Sequence, residues 1–123
     1  MVDKLNITLL STGLNETLAC DFSLVNRGSS NWIVFSHDKM SFELCLKDVV
    51  DIEDMHGLLT GKEKKIILHS TLKYKGKEYQ GLRKILSKDG KIVVSLGGVR
   101  LEFEKESKKM LTEILKVLKS KFG

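Results

Sequence analysis

Eight cations crowd one third of this chain: Lys62, Lys64, Lys65, Lys73, Lys75, Lys77, Arg83 and Lys84. Such a set could hold anions, either the carboxylates of an acidic protein or the phosphates of a nucleic acid. It could equally form solvated loops that keep strand edges apart by charge. Tyr74 and Tyr79 flank Lys75 and Lys77, the interleaving that base stacking uses, though tyrosines at these positions also suit strand packing.

The other reactive side chains form no constellation. Asp48, Asp51, Glu53 and Asp54 lack the spacing and the glycine of a calcium loop and read as turn carboxylates, with Asp48 capping its own turn. His37, His56 and His69 lie far apart, without zinc spacing. His37 falls in a hairpin turn, and His69 reads as a hydrogen-bonded sheet residue. No Gly-x-Ser-x-Gly occurs, and neither cysteine has an activating context. Gly97-Gly98 is followed by a strand pattern and no Lys-Ser/Thr, so it is not a phosphate loop. Trp32 opens an apolar run and reads as core. No catalytic residue, metal ligand or cofactor site is assigned.

The 123 residues suit a single domain with its own core, and 41% hydrophobic against 30% charged residues is ordinary for a globular chain. The formal charge of +5 permits an acidic partner without requiring one. No apolar run is long enough to span a bilayer. The opening MVDKLNITLLSTG does not read as an export signal, because Asn6 and Thr8 interrupt it and Asp3 precedes it. A cytoplasmic setting is the expectation. Cys20 and Cys45 then read as buried free thiols, and the Asn-x-Thr triplets at Asn6 and Asn15 as unmodified.

The elements that would position the cations are mostly strands. Residues 4–10 alternate, as does the stretch Glu16 to Asn26, where Leu18, Cys20, Phe22 and Leu24 share one side. Trp32 to Phe35, a turn at Ser36-His37-Asp38-Lys39, and Met40 to Leu46 form a hairpin pattern. A short strand is expected near Val49 to Glu53, with Gly57 and Gly61 flanking a loop. Residues 65–73 form a strand, and Lys73 to Lys77 a tight turn. Tyr79 to Leu86 is read as strand despite partly helical spacing, since Gly81 disfavours a helix. Asp89-Gly90 and Gly97-Gly98 punctuate two further strands, Ile92 to Leu96 and Val99 to Phe103. The period then changes. Met110, Leu111, Ile114, Leu115, Leu118 and Phe122 make one stripe of an amphipathic helix, with Glu106 and Ser107 at its start and Lys119 and Lys121 at its end.

Seven or eight serial strands followed by one C-terminal helix resemble the pleckstrin-homology-like superfold. The local echo is Trp32 to Phe35, His37-Asp38-Lys39, Met40 to Leu44 and the step Leu46-Lys47-Asp48-Val49; at the far end Leu101-Glu102-Phe103 runs into Ser107 and the helix. The resemblance implies a mainly β fold, an antiparallel two-sheet sandwich or partly open barrel capped by the helix. Members that bind inositol phosphates carry cations on an early loop, whereas here Ser11 to Asn15 has none. Within the superfold the chain is similar to the archaeal chemotaxis adaptor family, which implies protein partners and no catalysis. The expected function is therefore a non-enzymatic interaction module, complete or the N-terminal domain of a longer adaptor, docking an acidic protein through the eight cations without membrane insertion. The alternative is a nucleic-acid-binding domain using the same lysines.

Overall fold

The computed structural model describes residues 4–11 and 13–122, with backbone alone for Lys4, Leu14, Lys105, Glu106, Lys121 and Phe122. Thr12 of the expected first turn lies outside the described residues, as do the side chains of Glu106, Lys121 and Phe122. Eight strands form: β1 (Lys4–Ser11), β2 (Leu14–Arg27), β3 (Ser30–His37), β4 (Met40–Leu46), β5 (Lys65–Tyr74), β6 (Lys77–Lys88), β7 (Lys91–Leu96) and β8 (Val99–Phe103). Two helices join them, α1 (Val49–Thr60) and α2 (Lys105–Phe122). The strands pair in sequence order, all antiparallel, and β8 returns to β1 to close a barrel. The mainly β fold with a C-terminal helix is as expected, and where a two-sheet sandwich or partly open barrel was expected the sheet closes into one barrel.

Register turns the period-two pattern into an inside and an outside. Cys20 lies opposite Leu5, and Leu18 opposite Ile7. Phe35 lies between Phe22 and Phe42, and Phe42 in turn opposite Leu72. Phe103 bridges Ile7 and Ile92. These side chains fill the lumen, where Phe35, Phe42 and Phe103 are fully buried with ring centroids 5.2–6.1 Å apart. Each contributes about 1.5–3 kcal/mol by leaving water.

The expected strand near Val49 to Glu53 is instead α1. Its start is reciprocally capped: the Asp51 N–H donates to Asp48 Oδ1 at 3.1 Å, and the Lys47 N–H donates to Asp51 Oδ2 at 2.9 Å. A carboxylate three residues past an N-cap aspartate is a start signal that alternation around Val49-Val50 conceals. Ile52, Met55, Leu58 and Leu59 then fall on one buried side. Gly57 lies inside the helix, not in a loop. Gly61 ends it in the left-handed conformation (φ 83°), its N–H donating to the Leu58 carbonyl.

The C-terminal helix forms as expected and buries Leu111, Ile114, Leu115 and Leu118, with Met110 partly covered. It packs chiefly on α1 and less on β1 and β7. Ser107 does not cap it by side chain; its Oγ donates to the Asn6 carbonyl of β1 at 3.3 Å. Because α1 links β4 to β5 and α2 follows β8, both helices sit at the same end of the barrel and join its core cluster. Among the described residues no helix is long and apolar enough to cross a membrane.

Candidate functional site

The fold disperses the eight cations. Lys62 lies in the α1–β5 connection, lining a cleft of about 440 Å³ between the helices with His56, Lys116 and Lys119. Lys64 follows, and Lys65 opens β5. Lys73, Lys75 and Lys77 surround the β5–β6 turn at the opposite end, beside a shallow recess of about 460 Å³ that also takes in His37, Asp38 and Lys39. Lys65 and Lys73 stand at opposite ends of β5, about 26 Å apart at strand rise. Two of the distal lysines already have partners. Lys73 pairs with Glu78 directly across the hairpin at 3.7 Å, and Lys75 lies over the Tyr74 ring, 5.4 Å from its centroid. Arg83 and Lys84, adjacent in sequence, sit on opposite faces of β6. Arg83 lies opposite Leu68 on the lumen side, and Lys84 opposite Ile67 on the outside.

What the fold does bring together is an apolar row on the outside of the barrel. Along β5 and β6, Lys65 faces Leu86, Ile67 faces Lys84, and His69 faces Leu82, so cations and apolar side chains alternate like a checkerboard. Leu82 is 65% exposed, Ile67 53% and Leu86 37%, each on an outer position that its own strand could have filled with a polar residue. On β4 and β3 the row continues through Cys45 and Trp32, which are directly paired. Trp32 is half-buried on the outside, not in the core: it opens β3 on the side opposite Ile33 and Phe35. The His69 ring meets it edge-on at 5.7 Å, and the Arg27 guanidinium covers it at 5.1 Å. His69 Nδ1 is buried with no hydrogen-bond partner among the described residues, so the expected hydrogen-bonded histidine is a packing one.

Arg27 is held over Trp32 by a two-pronged pair to Glu43, Nη1–Oε1 2.7 Å and Nη2–Oε2 3.2 Å. That hydrogen bonding keeps the Glu43 carboxyl below its ordinary range, against a smaller upward push from burial. The pair anchors one margin of the row, leaving Lys65 and Lys84 as the cations nearest its exposed centre. Sequence reasoning missed this row because it counted charges along the chain; the signal lay in outward-facing positions of two adjacent strands carrying Ile67, Leu82 and Leu86.

The remaining candidates have structural roles. Asp48 and Asp51 cap α1. Among the described residues no three His, Cys, Asp or Glu side chains gather into a metal-sized cluster. Both cysteines are buried, Cys20 in the lumen and Cys45 on the outer side, with β3 between their strands, and no disulfide joins them. Burial pushes the Cys45 thiol up, which leaves it a poor nucleophile. The His37 Nδ1 accepts the Lys39 N–H at 3.1 Å within its turn.

A scan against protein-family models finds no match for this chain, and searches of curated proteins and of solved structures find none either.

Proposed function

We propose that this chain is a non-enzymatic interaction module whose docking face is the outer surface of β5 and β6. One observation carries the reading. Ile67, Leu82 and Leu86 stand exposed together, with Lys65 and Lys84 interspersed. A small domain rarely leaves a contiguous apolar patch in water without a use for it. An apolar face set with cations suits a protein segment that carries both apolar and acidic side chains, with the apolar centre supplying affinity and the lysines orientation. The resemblance to the pleckstrin-homology-like superfold, and within it to the archaeal chemotaxis adaptors, belongs to this reading, since the adaptor family implies protein partners. A small β-barrel closed by a C-terminal helix is compatible with that superfold.

The nucleic-acid reading is less well supported. Its cations stand in two groups about 26 Å apart, and Tyr74 is buried while Tyr79 packs against Gly97.

The test is affinity capture from the native host with the wild-type chain and the double variant Lys65→Glu/Ile67→Asp. Both positions are exposed, and the inward-facing Ile66 and Leu68 beside them are left intact, so folding survives. A stoichiometric protein partner held by the wild type and lost by the variant, at unchanged melting temperature, supports the reading. Equal capture by both, or no stoichiometric protein, contradicts it. So does salt-sensitive binding of short DNA or RNA without any protein partner.

A further inference from the structure

Every strand of the barrel is paired on both sides, but not along its whole length. The β5–β6 ladder spans all of Lys77 to Leu86, from Tyr74↔Lys77 to Lys65↔Leu86. The β6–β7 ladder covers only Ile85↔Val94 through Lys88↔Lys91. Among the described residues no strand pairs with β6 on its β7 side from Glu78 to Lys84, and no turn or loop hydrogen bond reaches that stretch. This is seven residues of strand edge, about 23 Å long, the length of an ordinary β-strand.

Two features show that β6 leaves its neighbour there. Gly81 has φ 141°, a region that favours glycine, and the strand diverges from β7 around it. On the lumen side Tyr79, Gly81 and Arg83 are only half-buried, whereas Ile85, where the ladder begins, is fully buried. The Tyr79 ring closes the far end of the opening by lying against Gly97 of the β7–β8 turn, so close that a Cβ there would fall 2.2 Å from the ring.

The edge also carries an unmet donor. Arg83 extends along the lumen side of β6, with its guanidinium over Gly81. Among the described residues its buried Nε has no hydrogen-bond partner, and Nη1 reaches only the Leu82 carbonyl at 3.5 Å. A guanidinium donor left unpaired is costly and is matched best by a carboxylate.

We infer that the free edge of β6, Glu78–Lys84, binds an extended acidic peptide segment as an added strand. Its backbone pairs with β6. Alternate side chains then point to opposite faces: carboxylates meet Arg83 on the inner side, and apolar groups lie beside Leu82 on the outer. A second copy of this chain is a poor occupant, because the edge carries Arg83 and Lys84, with Lys77 beside it, against only Glu78. The inference deepens the proposed function by naming how the acidic partner is held, and it rests on that reading for the partner's class.

The probe is a fluorescein-labelled peptide alternating valine and glutamate over about eight residues, a strand's length, followed by anisotropy with the intact chain. Two further versions carry N-methyl groups on one or the other alternate set of amides; methylating the set that faces β6 removes strand pairing, and both leave the side chains in place. Saturable binding is expected, weakened at least about tenfold by N-methylation of the set of amides that faces β6 and little by methylation of the other set, and about tenfold by Arg83→Leu. Lys116→Glu, on α2, leaves it unchanged. Equal affinity for the unmethylated peptide and both methylated ones overturns the inference, as does absence of binding by all three. In those cases loss of capture by Lys65→Glu/Ile67→Asp still upholds the docking face, so failure of the edge and failure of the face are told apart. Dimerisation that strengthens when Lys84→Glu relieves the like charges would also overturn it.

Discussion

Phe103→Ala is expected to lower unfolding free energy by about 3–5 kcal/mol, a large part of the total for a domain this size. Phe103 is fully buried, and its ring meets Phe35 edge-on at 5.2 Å and Phe42 at 6.1 Å. Removing it leaves a hole between strands from opposite sides of the barrel, β8 against β3 and β4, which cannot close without bending a closed sheet. Trp32→Ala supplies the contrast. Trp32 is the larger side chain, but it lies outside, half-covered by Arg27 and His69. Its loss is expected to cost about 1–2 kcal/mol, since only part of its surface returns to water. Urea unfolding of the two variants measures the difference. A Trp32→Ala cost equal to or above that of Phe103→Ala would reverse the assignment of inside and outside on β3.

Gly97→Ala is expected to destabilise by about 1–3 kcal/mol, although it adds one methyl group to an exposed turn. Gly97 has φ 54°, which an L-residue adopts only at a cost. The new Cβ would also collide with the Tyr79 ring. The ring must then swing out of the opening beside β6 that it covers. The two costs separate in a double-mutant cycle: with Tyr79→Ala already present, Gly97→Ala retains only its backbone cost. Strict additivity would show that Tyr79 does not rest on the turn.

Much of the barrel was legible in the residues. Strict alternation in the chain from Leu18 to Leu24, and the Asp89-Gly90 and Gly97-Gly98 turns, located strands that the structure contains. Gly81 correctly argued against helix for β6, and its φ shows why the spacing there was ambiguous. The missed helix α1 shows the limit of alternation over a short window. Val49 and Val50 favour strand, whereas the decisive signal was a pair of aspartates at N-cap spacing whose hydrogen bonds stabilise only the helical start. The candidate site failed for a different reason. Closeness in sequence is distance along a strand, so Lys65 and Lys73 stand at opposite ends of β5. Adjacency in sequence also reverses the face, so Arg83 and Lys84 part company. Which outward positions would neighbour one another depended on the β5–β6 register, which no single strand encodes.

The account depends on β6 being held from one side only between Glu78 and Lys84. Residue-resolved amide hydrogen exchange on the free chain measures this directly. Every second amide in that stretch, the set directed away from β5, is expected to exchange within minutes, while the intervening amides and those of Ile85 to Lys88 stay protected. Uniform slow exchange from Lys77 to Lys88 would mean that the edge is already filled, and the proposed mode of docking would be wrong.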